Sequence, residues 1–157
     1  MSNITIRPFK ASDQRAARAL ILEGLGEHFG SIDETCNPDL DDIMAHYVAR
    51  GSAFVIAVSS NSLIGTAALI AEDAHTGRIV RMSVRREARR QGIGKALVEH
   101  LLNLARDRRF SRVVVETNND WDNAIGLYKR CGFVEYDTDD VSVYLVLDLD
   151  EGQIKRS

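Results

Sequence analysis

Between Ala53 and Val84 the chain carries three apolar, β-branched stretches separated by turn residues. From Gly92 to Arg108 it changes to the spacing of a long amphipathic helix. This change of apolar period, from 2 to about 3.6, constrains the fold most, because a strand and a helix expose side chains on different repeats. Ala53–Ser59, Leu63–Glu72 and Arg78–Val84 read as an antiparallel meander, with Ser60-Asn61-Ser62 and Asp73–Gly77 as its turns. Ile93, Ala96, Leu97, Leu101, Leu104 and Ala105 then share one side of the helix. Arg112–Thr117, with Val113, Val114 and Val115, is a further strand; Asn123–Arg130 is a short helix, and Phe133–Tyr136 and Val141–Leu149 are the last strands.

Ahead of the meander, Ile4–Pro8 alternates and ends at a proline, as a short strand does. Ser12 or Asp13 can cap a helix to about Leu25, with Ala16, Ala17, Leu20, Ile21 and Gly24 as its apolar stripe. Gly24, Gly26 and Gly30 are expected to break it into an irregular stretch. Asn37-Pro38-Asp39 then predicts a fresh helix with Asp39 as N-cap and Asp41 and Asp42 in its first turn. Its buried face would be Leu40, Ile43, Met44, Tyr47 and Val48, and Gly51 would end it. The tail Asp150–Ser157 is polar and expected to fray. With no repeat and no linker, 157 residues in the order β-α-α-β-β-β-α-β-α-β-β imply one domain, 1–157, built on a mixed α/β sheet.

Several function classes fit poorly. A formal charge of −3 argues against a nucleic-acid backbone as the main partner. No apolar stretch approaches the ~20 residues of a membrane helix, and Met1–Arg7 lacks the layout of a signal peptide. Cys36 and Cys131 are far apart and in no metal-ligand spacing. Neither a disulfide framework nor a metal is therefore expected, and a reducing cytoplasm is the default compartment.

The stretch that carries chemistry is Val80–Leu97: a strand, a basic turn, and a glycine-bearing turn opening the long helix. A helix N-terminus leaves its first backbone N–H groups unpaired and bears partial positive charge. Gly92 and Gly94 remove side chains that would keep a phosphate from that backbone, and Arg85, Arg86, Arg89 and Arg90 raise the local potential. Two other phosphate loops do not fit. Gly94-Lys95 is followed by Ala96 rather than a hydroxyl, and only two glycines are present where a dinucleotide fingerprint has three.

Arg89-Arg90-Gln91-Gly92-Ile93-Gly94 resembles the Q/R-x-x-G-x-G/A motif of the GNAT superfamily of acetyl-CoA-dependent N-acetyltransferases. Three further segments match at the separations that family shows: the strand Ile79–Val84 just before it, Asn123-Ala124-Ile125-Gly126-Leu127-Tyr128, and Gly132-Phe133. The resemblance covers Ile4 to about Leu149. It implies a single-domain GNAT fold in the α/β class, a mostly antiparallel mixed sheet of about seven strands with about four helices, and splayed fourth and fifth strands. It further implies acetyl-CoA as co-substrate, with no metal, bound by about residues 78–136. By the resemblance, the backbone of Arg89, Arg90, Gln91, Gly92, Ile93, Gly94 and Lys95 holds the pyrophosphate. The pantetheine arm pairs with Met82, Ser83 and Val84 as an added strand would, and Asn123 reaches that arm. Tyr128 protonates the departing thiolate. Ordinary pKa values of about 10 for tyrosine and about 8.5 for a thiol suit that direction of transfer.

The implied reaction is direct transfer of acetyl to a primary amine of a small molecule, with a protein N-terminus or lysine as the alternative acceptor. A non-catalytic acyl-CoA-binding regulator is the alternative from another class. A homodimer is compatible with the resemblance; nucleic acid and membrane are not expected partners. The sequence departs from the family at the base. Arg78–Val84 holds no carboxylate where many relatives place a glutamate, which leaves Glu116, Glu72, Glu23 and Glu27, with water as relay, and His28. Glu23, Glu27, His28, Asp33, Glu34, Asp39 and Asp41 could form an acidic acceptor wall. Arg81, on the face of Ile79 and Ser83, is read either as a receiver for a substrate carboxylate or as half of a surface salt bridge. Trp121 is either a lid over the cofactor or a surface anchor.

Overall fold

Strand β1 (Ile4–Pro8) pairs antiparallel with β2 (Ala53–Ser59), from Ile4 opposite Ser59 to Pro8 opposite Val55. The computed structural model describes residues 4–29 and 37–149, with the side chains of residues 27–29 outside the description. β3 (Ser62–Ala71), β4 (Thr76–Val84), β5 (Arg112–Asn118), β6 (Val134–Thr138) and β7 (Ser142–Asp148) complete one hydrogen-bonded sheet in the order β1-β2-β3-β4-β5-β7-β6. The sheet is mixed, because β4 and β5 run parallel, Thr76 opposite Arg112 through Ile79 opposite Val115. β5 with β7 and β6 with β7 are antiparallel. Pro8, which has no N–H to give a ladder, lies on the edge strand, where that lack is harmless.

The residues divide into two units, each described by itself. The first takes the residues up to Ala68 with Arg81–Leu97. Its core is built from Leu20 and Ile21 of helix α1 (Gln14–Phe29), from Leu40 and Ile43, and from Phe54 and Ile56 of β2. Phe9 meets Phe54 edge to face with centroids 5.3 Å apart, and Tyr47 lies tilted against Phe54 at 5.2 Å. Residues 53–57 of β2 and 63–69 of β3 are continuously buried, as strands covered on both faces are. The second unit takes Leu69–Val80 and the residues from Val98. There Val98, Leu101 and Ala105 of helix α2 (Ile93–Asp107), Val113 of β5 and Leu145 of β7 are fully buried. Helix α3 (Asp122–Arg130) adds Tyr128.

Four local expectations are corrected. Helix α1 does not break at its glycines but runs unbroken to Phe29. Gly24 is there for approach: a Cβ on it would stand 3.0 Å from Ser83 Oγ of β4. A mid-helix glycine costs about 1 kcal/mol against alanine, which the packing of α1 tolerates.

The segment after Pro38 is wound as a 3₁₀ turn (Pro38–Asp41) and a π turn (Met44–Val48). Its wide rings, Ala49 N–H to Met44 O and Ser52 N–H to Tyr47 O, rotate Met44 and Val48 off the buried stripe. Leu40, Ile43 and Tyr47 stay on it. Asp39 is not the cap; Asn37 holds that position, with no capping side-chain bond. Asn123 is the second residue of α3.

Asp13 is not the N-cap of α1: it closes the 3₁₀ turn Ala11–Asp13 ahead of the helix, its side chain reaching back to accept the Lys10 N–H at 2.8 Å while Arg7 grips both its oxygens at 2.9 and 3.1 Å. Gln14 ties this end to the turn after Pro38, donating to Leu40 O (2.7 Å) and accepting from Ile43 N–H (2.9 Å). Asp33, Glu34, Cys36 and the tail from Asp150 lie outside the described residues, as do the side chains of Glu27 and His28.

Leu97 opens α2 with no exposed surface, its Cδ1 against the site where Gly65 would carry a Cβ. Leu97→Ala is expected to lower stability by about 2–5 kcal/mol, read from the midpoint of urea unfolding, because so tight a site collapses poorly.

Candidate active site

The cradle forms in the first unit. After β4 the chain turns through a short 3₁₀ segment, Arg86–Ala88, which buries Ala88. Arg90 (φ 66°) and Gly92 (φ 79°) then adopt left-handed conformations that reverse the chain into α2. The first helical bond runs from Ala96 N–H to Gly92 O at 3.0 Å, so the N–H groups of Ile93, Gly94 and Lys95 precede the ladder. A Cβ on Gly92 would meet nothing within 4 Å, so the side-chain position of this glycine is open. Ile93 is buried and anchors the turn, whereas Arg89, Arg90, Gln91 and Lys95 are exposed around it. Not every arginine is spent on the rim. Arg85 donates to Leu63 O (3.0 Å) and Arg89 to Val84 O (3.0 Å), which fastens the turn to β3 and β4.

β4 departs from a plain strand at Arg81, whose φ is 56°. For a bulky residue that conformation costs roughly 1–3 kcal/mol and persists only where the surroundings over-determine it. Alternation fails at this point, so Arg81 is not placed on a common face with Ile79 and Ser83 as the sequence suggests. The surroundings are specific. Thr66 Oγ donates to Arg81 O at 2.8 Å, and the Arg81 guanidinium grips Asp39 through Nε (2.9 Å) and Nη2 (2.7 Å). Nη2 also reaches Asn37 Oδ1 at 3.1 Å, and Tyr47 Oη donates to Asp39 at 2.5 Å.

Burial alone would raise the Asp39 pKa, but Arg81 and Tyr47 outweigh it and hold the carboxyl below its ordinary range. Burial, and then the bond to Asp39, push Tyr47 up to about 12. This partly buried network is neither the surface salt bridge nor the free carboxylate receiver expected of Arg81.

Among the described residues of the acidic segment, the aspartates are answered from within. Asp39 is matched by Arg81, Asp41 faces Arg18 at 3.5 Å, and Asp42 accepts the Ala45 N–H at 3.0 Å. Glu23 is exposed on α1.

In the second unit Tyr128 is buried, edge to face with Phe133 at 5.6 Å. Burial drives its pKa far above the ordinary value, with the Cys131 thiol adding to the rise, so the phenol keeps its proton. Asn123 is exposed. Of the base candidates, Glu72 is gripped by Arg78 at 2.9 and 2.6 Å, which lowers its pKa and its proton affinity. Glu116 accepts from Ser142 Oγ at 2.9 Å and stands 3.8 Å from Arg78. Among the described residues no group of three or more His, Cys, Asp or Glu could hold a metal, and no helix is long and apolar enough to cross a membrane.

The profile of the Acetyltransferase (GNAT) family matches residues 18–133, which include the cradle, Asn123 and Tyr128. The chain belongs to this family. Human N-acetyltransferase 8B is 38% identical to this GNAT chain over 108 residues, covering 65% of the chain and 48% of the human protein. The chain thus spans about half the length of the curated relatives it matches.

Among solved structures, a GNAT-family acetyltransferase from Staphylococcus aureus Mu50 superposes with a TM-score of 0.83. It is 23% identical, over 94% of this chain and 99% of that one. PaiA N-acetyltransferase from Thermoplasma acidophilum, in complex with coenzyme A, gives 0.82 at 16% identity over 94% and 99%. At these identities both likenesses speak to the GNAT fold alone. Sequence reasoning missed the Asp39–Arg81–Tyr47 network, whose members lie up to 42 positions apart; the unmatched basic residue in an apolar strand was the signal for it.

A raised tyrosine pKa means that the folded state prefers the neutral phenol. The Tyr47 contribution to stability is then complete below about pH 10 and disappears as the pH rises through about 12. In spectrophotometric titration of this GNAT protein, Tyr47→Phe should remove one late-titrating phenol and leave that of Tyr128; ionisation of Tyr47 at its ordinary pH would contradict the network.

Proposed function

We propose that the chain transfers the acetyl group of acetyl-CoA directly to a primary amine, with a small-molecule amine as the first acceptor class. The observation that carries this reading is the left-handed turn Arg90–Gly92, which opens α2 at a glycine with an open Cβ position and exposed basic residues around it. Three successive N–H groups, a helix N-terminus and exposed cations suit a pyrophosphate, which is doubly anionic and needs donors more than shape. In this reading the backbone of Arg89–Lys95 binds the pyrophosphate and Met82, Ser83 and Val84 receive the pantetheine amides. Asn123 contacts that arm.

Tyr128 is the acid. Attack by the amine on the thioester carbonyl forms the C–N bond, and the C–S bond breaks with its electron pair on sulfur. The Tyr128 phenol, protonated at any physiological pH, meets that charge. The carbonyl oxygen gains charge at the same time, and a backbone N–H beside the β4 bulge stabilises it. The ammonium proton leaves through water, with Glu116 the more available carboxylate and Glu72 already held by Arg78. Human N-acetyltransferase 8B, an N-acetyltransferase by name, supports the acceptor as nitrogen.

The direct test is thiol release from acetyl-CoA across a panel of amines and basic peptides. Turnover with at least one amine is expected; acetyl-CoA binding with no acceptor in the panel modified would overturn the enzyme reading in favour of a binding role. Two variants test the parts. Gly92→Val places a branched side chain in the open space and at a φ it resists, and should raise the acetyl-CoA KM at least about tenfold. Tyr128→Phe should lower kcat by about 10²–10⁴-fold with cofactor affinity retained. An unchanged kcat would return Tyr128 to a purely packing role.

A further inference from the structure

The geometry points to Asp39 as a positioning residue: with Arg81 it clamps the left-handed bend of β4 (the bulge) at Arg81 and so holds the backbone on which the thioester is placed. The inference rests on the acetyl-transfer reading for its consequence but on geometry for its existence. Arg81 is the only β4 residue among those described with positive φ, and it is a long, β-unfavourable one at that position. Glycine would adopt this conformation without strain; an arginine needs to be held.

Two holds are visible, and they act on opposite ends of the residue. Thr66 Oγ, fully buried on β3, fixes the Arg81 carbonyl at 2.8 Å. Asp39 takes the guanidinium side-on through two bonds of 2.9 and 2.7 Å, the paired geometry that best restricts an arginine. Asp39 is itself braced, by Tyr47 Oη at 2.5 Å, and Asn37 occupies the remaining donor of Nη2. Tyr47 is in turn locked against Phe54, with centroids 5.2 Å apart.

Past the bulge β4 returns to the ladder, Arg85 N–H bonding Ile64 O at 2.8 Å. Met82, Ser83 and Val84 therefore lie between two fixed points, the Arg81 carbonyl and the Arg85 amide. A shift at the bulge turns their N–H and C=O groups away from the direction in which a pantetheine or a developing oxyanion would meet them. Misplacement by about 1 Å is enough to cost about 10²-fold in rate.

A clamp and a substrate receiver predict different mutant behaviour, and a glycine separates them. Asp39→Ala leaves Arg81 strained and unheld, and should lower kcat by about 10²-fold and raise the acetyl-CoA KM, alike for every acceptor. Arg81→Gly combined with Asp39→Ala removes both the strain and the clamp, and should return kcat to within about tenfold of the parent protein. Arg81→Ala with Asp39→Ala, which keeps a Cβ at positive φ, should not recover.

A double variant with glycine that is no better than Asp39→Ala overturns the clamp. So does a loss confined to the KM of carboxylate-bearing acceptors, which would make Arg81 a receiver. Amide hydrogen exchange at Met82–Val84 is read in the same proteins, without substrate. Faster exchange in Asp39→Ala and recovery only in the glycine double is the expected result, and uniform exchange in all of them overturns the clamp. If the parent protein turns over no amine, the acetyl-transfer reading fails while the exchange experiment still decides the clamp. If Asp39→Ala does not fold, the two double variants, both free of the unpaired ion, carry the comparison.

Discussion

Arg81 holds a left-handed backbone in the middle of β4, and the surrounding structure in the first unit is arranged so that it can. The carbonyl side is fixed by a buried threonine on β3; the guanidinium side is fixed by a carboxylate that arrives on the turn after Pro38. That turn is held to the start of α1 by Gln14 and to β2 by the Tyr47–Phe54 contact. The unusual winding of residues 38–48, a 3₁₀ turn followed by a π turn, places Asp39 and Tyr47 together. An ordinary helix there would satisfy more backbone but would spend Asp39 as a cap. A partly buried ion pair is weak evidence of net stability, since desolvation offsets much of the attraction. Its value here is conformational: it selects one backbone geometry in a strand that would otherwise be regular.

The same economy governs the charges. The arginines between 81 and 90 look interchangeable in sequence, yet Arg81, Arg85 and Arg89 are tied to Asp39, Leu63 O and Val84 O. The pyrophosphate reading consequently rests on backbone donors first, with Arg90 and Lys95 as exposed cations. The acidic stretch behaves alike, Asp39 and Asp41 being answered by Arg81 and Arg18. Among the described residues of this stretch, Glu23 is exposed on α1 while these two aspartates are paired.

Much of this was legible from the chain alone. The apolar periods placed β2, β3, α2, β5 and α3 to within a few residues, because each buries a stripe whose spacing matches its own geometry. The cradle was legible because its glycines and basic residues are contiguous. Helix α1 was misjudged at Gly24 because a glycine chosen for close approach to Ser83 looks, in sequence, like one chosen to end a helix. Asp39 was misjudged for a related reason: an aspartate after a proline is usually a local cap, and its partner lies 42 positions on. Long-range polar pairing leaves no period, so nothing short of the fold brings Asp39, Tyr47 and Arg81 together.

The central claim is that the turn opening α2 binds acetyl-CoA so that its acetyl group passes to nitrogen. Mass spectrometry of an amine panel incubated with the protein and isotopically labelled acetyl-CoA tests it most directly. The account predicts a product heavier by one labelled acetyl group, bonded through an amide and formed more slowly at limiting acetyl-CoA when Gly92 is replaced by valine. Label found on a hydroxyl, on the protein's own cysteine, or on no acceptor at all would contradict it.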